Sequence, residues 1–317
     1  MKQLLKLFFI CLFTLSVMPL IGNQGKMAKV DELDIWYETF GNENDPVLLL
    51  IMGGGCQGVL WPVEFCEKLV KEGFYVIRYD HRDAGLSTHF NFAENPYDIM
   101  DITKDAIGLL DFLNVKKAHL FGISMGGIIA EIMAAYFPER VHTIVIMGST
   151  PDVRPMNLAI KGEPPEDGAF SSPVSEYRSW RGQAPKKPYD QDEEFLAHRV
   201  NVWHKMSGFI VPFNTDFYRS LHRECLSRLK TTDSLANHYL ASMRSEDLIR
   251  KVPYQIQTPT LILQGSEDPV FRPDHGEARF KAIKGSKYLL VEGMGHVPNL
   301  YFDDYLIEQI ALNSNSK

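Results

Sequence analysis

Ala118-His119-Leu120-Phe121-Gly122-Ile123-Ser124-Met125-Gly126-Gly127 runs from a short apolar stretch, through a Gly-x-Ser-x-Gly pentapeptide, into a helical pattern that continues to Phe137 and stops at Pro138. A strand feeding such a pentapeptide and then a helix makes a nucleophile elbow. The turn is sharp enough to force the serine into a strained backbone conformation, with its hydroxyl projecting above the sheet. Residues two before and two after the serine must be very small, and Gly122 and Gly126 meet that demand. Outside this context the pentapeptide is an ordinary Gly-rich turn; between strand and helix it marks Ser124 as a nucleophile.

The flanking chain alternates strand and helix. Residues 33–40 read as an edge strand in a hairpin. Residues 46–52 (PVLLLIM) form a continuous apolar run, expected of a strand covered on both faces of a parallel sheet. Pro62 can open the helix that follows and Gly73 closes it. Residues 74–80 make the next strand. Ile99, Ile102, Ala106, Leu109 and Leu113 recur at helical spacing. Residues 141–147 (VHTIVIM) are another buried strand. This rhythm predicts an α/β fold, a mostly parallel central sheet with helices on both faces.

Between Pro151 and Pro253 the rhythm fails. The stretch is rich in Pro and Gly at first, then helical, with Leu196, Val200 and Trp203 on one face and Phe217, Leu221 and Cys225 on another. Strand signals resume at residues 260–263 and 287–291, and a final helix ends near Leu312. The division expected is a core in two parts, residues 26–150 and 253–317, interrupted by a helical cap over residues 151–252. Such a cap can close a pocket over the carboxyl edge of the sheet, where open α/β sheets bind ligands. Its aromatics Trp203, Phe209 and Phe213 are candidate lining, although helix aromatics commonly just pack.

The chain has 317 residues, 45% of them hydrophobic, which excludes a disordered protein. A net charge of −7 leaves no basic field for nucleic acid, so none is expected as a partner. The four cysteines Cys11, Cys56, Cys66 and Cys225 make neither a disulfide framework nor a Cys-x-x-Cys motif. At the N-terminus, Lys2 and Lys6 precede an uncharged apolar run from Leu7 to Gly22. Residues 1–25 therefore read as a signal peptide or an N-terminal anchor. Export to the periplasm or medium is expected, with membrane association only if the segment is retained. The run is short for a bilayer span, which needs about 20 residues.

A serine hydroxyl needs a base to take its proton and an acid to orient that base, in the chain order Ser, acid, His for this architecture. Gln264-Gly265-Ser266-Glu267-Asp268-Pro269 follows a strand and offers Asp268 as the acid; Glu267 and Asp152 are the alternatives. Glu292-Gly293-Met294-Gly295-His296-Val297-Pro298 follows the last strand and offers His296 as the base. His119 and His142 lie in or beside strands; His198, His204, His222 and His238 lie in the cap, and His275 begins a helix. No His-x-x-x-His pair with a third ligand points to a metal. A tetrahedral intermediate also needs oxyanion donors. The N–H of Met125 is one candidate. In Met52-Gly53-Gly54-Gly55, Gly54 is the other and Gly53 the next choice; the loop lacks the Lys-Ser/Thr ending of a phosphate-binding loop.

With these residues in place the chain resembles an α/β-hydrolase fold serine hydrolase from residue 30 to residue 312. More narrowly it is similar to the aclacinomycin methylesterase-like small-molecule esterases. The shared features are Met52-Gly53-Gly54, the Trp61-Pro62-x-Glu64-Phe65 helix start, and Ile77-Arg78-Tyr79-Asp80-His81-Arg82-Asp83 leading to Gly85-x-Ser87-Thr88. Asn95-Pro96-Tyr97, Val211-Pro212-Phe213 and Met294-Gly295-His296 add to them. Many fold members carry His-Gly where this chain has Met52-Gly53. The resemblance implies hydrolysis of a small to medium carboxylic ester through an acyl-enzyme, without a cofactor. An amidase or iminopeptidase of the same fold is the alternative, and a non-catalytic ligand-binding scaffold is the other class. Residues 80–87 read as a structural anchor for the sheet end. Because the base must be neutral and free imidazole has a pKa of about 6.5, the pH–rate profile should fall on the acid side near that value. A rate flat down to about pH 4 would argue against His296.

Overall fold

The computed structural model describes residues 25–182, 193–231 and 233–315. The segment read as a leader lies outside these residues except for Gly25. Among the described residues, no helix is long and apolar enough to cross a membrane.

The first hairpin pairs β1 (Lys26–Val30) with β2 (Leu33–Phe40), and β2 is antiparallel to β4 (Tyr75–Tyr79). From β4 onward every pairing is parallel: β3 (Val47–Ile51), β5 (Ala118–Ile123), β6 (Val141–Met147), β7 (Thr260–Gly265) and β8 (Lys287–Val291). The order is β1-β2-β4-β3-β5-β6-β7-β8. The strand expected at the edge, β2, is thus one place inside, because residues 26–30 also pair and take the edge.

Helices cover both faces. Leu48 and Leu50 of β3 join a cluster with Phe65 and Leu69 of α1 (Val63–Lys71) and Leu306 of α11 (Asp303–Ser314). Leu49 and Ile51 face the opposite way, into a cluster with Leu109 of α2 (Ile99–Phe112) and Ile129 of α3 (Met125–Tyr136). Two-sided burial is the reason the strand is apolar at every position. A capping box starts α2: the Asp98 carboxylate accepts from the Asp101 N–H while the Asp101 side chain accepts from the Asp98 N–H, satisfying two orphan donors.

Between β6 and β7 the described chain is helical: α4 (Arg154–Lys161), α5 (Ser175–Gly182), α6 (Glu193–Ser207), α7 (Thr215–Ser227), α8 (Ser234–Met243) and α9 (Glu246–Lys251). Leu196, Val200 and Trp203 of α6 pack with Leu221 and Cys225 of α7 in the cluster that also contains α1. After β7, α10 (Pro273–Ala282) returns the chain to β8. Because β3 leads to α1 on one face and the neighbouring β5 leads to α3 on the other, a crevice opens between their carboxyl ends.

Candidate active site

The turn after β5 places Ser124 at φ 54° and ψ −119°, a backbone conformation a non-glycine residue adopts only under external constraint. That constraint is steric and hydrogen-bonded. The Ser124 N–H donates to the Met147 carbonyl at 3.0 Å, and the Ser149 hydroxyl donates to the Ser124 carbonyl at 2.6 Å. A Cβ on Gly122 would lie 2.2 Å from the Gly126 carbonyl oxygen, and one on Gly126 would lie 2.2 Å from that of Ile51. The glycines flanking the serine are therefore required by backbone contact on both sides.

Asp268 and His296 meet at the ends of β7 and β8. Imidazole Nδ1–H donates to Asp268 Oδ2 at 2.9 Å, while Oδ1 accepts from the N–H groups of Val270 at 2.8 Å and Phe271 at 2.9 Å. The carboxylate is buried, so these three donors replace its hydration. The Phe271 ring stands edge-on to the imidazole, 5.5 Å between centroids. Gly148 packs behind the pair, where a Cβ would sit 3.1 Å from Asp268 Oδ2.

The loop bearing His296 is fastened to the helical insertion. His296 N–H donates to the Met206 carbonyl at 2.6 Å, the Val297 N–H to the same oxygen at 3.3 Å, and the Gly295 N–H to the Ser207 carbonyl at 3.2 Å. Further along, the Tyr218 hydroxyl accepts from the Leu300 N–H at 3.0 Å, and the Asn299 amide donates to the Pro212 carbonyl at 3.1 Å.

Ser124 and His296 line one cavity of about 580 Å³, together with Gly53, Gly54 and Met125. A Cβ on Gly53 would lie 3.3 Å from Ser124 Cβ, so the loop after β3 abuts the serine. Met125 begins α3, and its N–H has no acceptor within the helix. The walls are apolar, with four methionines (Met52, Met125, Met156, Met206) beside Trp203 and Phe271. No Lys, Arg, Asp or Glu lines the cavity among the described residues.

Of the cap aromatics expected there, Trp203 lines the cavity and the other two do not. Phe213 is stacked between His204, at 4.2 Å, and Tyr218, at 4.5 Å, and Phe209 is 57% exposed. Phe209 follows Gly208, where the chain has already left α6, so no helix face holds its ring inward. Asp152, the alternative acid, is gripped by Arg154 through both carboxylate oxygens, with the closest contact 2.5 Å. His275 bridges Thr150 and the Ser171 carbonyl, and His119 stacks on His142. Among the described residues, no cluster of His, Cys, Asp and Glu is arranged to hold a metal.

Asp80 is the anchor expected of its loop. Oδ1 accepts from the Gly58 N–H at 2.7 Å, and Oδ2 accepts from the Leu86 N–H at 2.9 Å and from Arg228 of the cap at 2.7 Å. His238 of α8, one of the four histidines expected in the helical insertion, lines the cavity, and its buried ring is bonded to Gly55. No periodicity could reveal that pairing, since the partners are 183 positions apart.

An elbow serine over a parallel sheet, with a carboxylate-bound histidine presented from the last strand ends, is the arrangement of the α/β hydrolases. The chain belongs to the alpha/beta hydrolase fold family, whose sequence profile matches residues 46–303. It is 34% identical over 300 residues to rhodomycin D methylesterase DnrP of Streptomyces peucetius, covering 92% of this chain and 98% of that protein. DauP, the rhodomycin D methylesterase of Streptomyces sp. (strain C5), matches to the same identity and extent. Among solved structures, an esterase from Exiguobacterium antarcticum superposes over 92% of this chain and all of its own, with a TM-score of 0.71 at 18% identity. That last likeness is one of fold.

Proposed function

We propose that this chain hydrolyses an uncharged, small to medium carboxylic ester through an acyl-enzyme, with Ser124 as nucleophile, His296 as base and Asp268 as its orienting acid. The observation that carries the reading is the Asp268–His296 hydrogen bond of 2.9 Å, with the imidazole lining the same cavity as the strained elbow serine. With Nδ1–H committed to Asp268, neutral His296 has its lone pair on Nε2, the nitrogen that takes the serine proton as Oγ attacks the ester carbonyl. The carbonyl oxygen becomes an oxyanion held by the N–H groups of Met125 and Gly54. As the intermediate collapses, the Nε2 proton passes to the departing alcohol. Water then repeats the sequence on the acyl-enzyme and regenerates the serine.

An iminopeptidase must bind a substrate ammonium, and among the described residues no carboxylate lines the cavity to do so. The kinship with methylesterases places a methyl ester first among substrates to assay. We read the apolar segment of residues 7–22 as an export or anchoring signal that delivers the domain across a membrane.

A fluorophosphonate probe is expected to label the protein once per chain, at Ser124, and to leave Ser124→Ala unmodified. Absence of an adduct on the wild type, or an equal adduct on the variant, would overturn the assignment. Amide and ester forms of one acyl group, assayed side by side, are expected to favour the ester.

A further inference from the structure

The glycine loop that supplies the Gly54 N–H is gripped at both ends by buried imidazoles. His81 Nε2–H donates to the Met52 carbonyl at 2.9 Å, just before the glycines. At the last of them, the Gly55 N–H donates to Nδ1 of His238 at 2.9 Å, and Nε2 of the same ring meets the Arg82 carbonyl at 2.7 Å. A backbone N–H only donates and a carbonyl only accepts, so both contacts require His238 to be neutral with its proton on Nε2. The two rings stand edge to face, 5.8 Å apart. Burial pushes the pKa of His81 down to about 3 and that of His238 to about 4, outweighing the carbonyl hydrogen bond each makes.

Three consecutive glycines give this loop wide backbone freedom, and an oxyanion donor is useful only when its direction is set before the charge develops. The ring of His238 has a firm mounting from which to set it. Arg82, whose carbonyl it contacts, is itself held by Asp105 through two hydrogen bonds of 2.5 and 2.6 Å. The helix bearing His238 also presses on the loop: a Cβ on Gly54 would lie 3.6 Å from His238 Cβ, and one on Gly55 would lie 2.6 Å from Leu235 Cβ.

We propose that His238 is a positioning residue for the oxyanion site: by accepting the Gly55 N–H it fixes the preceding peptide so that the Gly54 N–H points to the space beside Ser124. The cap thereby contributes to transition-state stabilisation as well as to enclosure. The inference rests on the esterase reading given above and deepens it. The ring of His238 also borders the cavity, but in this role it acts through the Gly55 peptide and not on the reacting atoms.

The test uses the full-length protein and three probes: a methyl ester substrate, its trifluoromethyl ketone analogue, and the corresponding unreactive alcohol. The ketone adds to the serine and leaves an oxyanion in the same site, whereas the alcohol reports ground-state binding alone. His238→Phe keeps bulk and removes both hydrogen bonds. It is expected to lower kcat by about 10–100-fold, short of the 10²–10³ that follows outright loss of a donor. Affinity for the ketone should weaken by a similar factor, with KM and alcohol affinity changed by less than about threefold. His238→Asn, whose Oδ1 falls near the place of Nδ1, should recover most of both losses. If the Phe variant does not fold, His238→Gln replaces it, since its amide reaches towards Arg82 without an acceptor at the Nδ1 position. Asn must then outperform Gln in kcat and in ketone affinity.

A Phe variant within twofold of wild type, a fall in kcat without a parallel loss of ketone affinity, or equal behaviour of Asn and Gln would overturn the proposal. A wild type that turns over no ester and takes up no fluorophosphonate would instead overturn the reading of the site beneath it.

Discussion

Asp268→Asn is expected to lower kcat by about 10⁴ while the fold and KM stay near wild type. The side chains are nearly the same size, so the loss comes from hydrogen-bond polarity. Oδ1 of Asp268 receives two backbone N–H groups, from Val270 and Phe271. In the variant, an amide NH₂ at that position would face two donors. The amide oxygen must take it, which turns the NH₂ towards His296 Nδ1. That nitrogen then has to accept, its proton moves to Nε2, and the imidazole can no longer receive the serine proton. Steady-state kinetics on purified variants check this. A loss smaller than about tenfold would remove Asp268 from its role. Asp152→Asn serves as the comparison: its carboxylate is held by Arg154, so kcat should change only a few-fold.

Arg279→Met is expected to destabilise the protein by about 3–5 kcal/mol. Arg279 Nε and Nη2 grip Glu131 at 2.6 and 2.8 Å, and Nη2 also donates to the Thr150 carbonyl at 2.7 Å. Both side chains are 1% exposed, so removing the guanidinium leaves a carboxylate on α3 without solvent or partner. The double variant Glu131→Leu/Arg279→Met removes both charges and should recover most of the loss, since replacing a whole buried pair by apolar side chains is often near neutral. Urea unfolding of the wild type, Glu131→Leu, Arg279→Met and the double variant measures the coupling directly. A single-variant loss below about 1 kcal/mol, or a double variant no better than the single, would contradict it. Because α3 begins next to Ser124, the single variant should also inactivate at lower urea than wild type.

The fold class was legible because its signals are local. The two-sided burial of β3 wrote itself as an unbroken apolar run, and the elbow as two glycines around a serine. Asp268 and His296 could be nominated because the architecture presents such residues just after strands, and each follows one in a turn-forming segment. The edge strand was misplaced since residues 26–30 are short and half exposed, with little apolar pattern to mark them. Phe209 and Phe213 were nominated by residue type, which does not encode where α6 ends; Trp203, inside the helix, did keep an inward face. His238 was opaque for a different reason. Its partners are backbone groups of residues 55 and 82, and backbone groups carry no side-chain signature in a sequence.

The hydrogen bonds from residues 295–297 to the carbonyls of Met206 and Ser207 bear on how the protein can be re-engineered. A chimera that exchanges the whole helical insertion for that of another hydrolase discards the mount of His296. Crossover points should therefore leave the last turn of α6 and the connector through Phe213 with the recipient. The same tether discourages any opening motion that lifts α6 and α7, because the imidazole would travel with them. Access from solvent is better sought beside Ile160 and Leu235, which line the cavity and are also exposed.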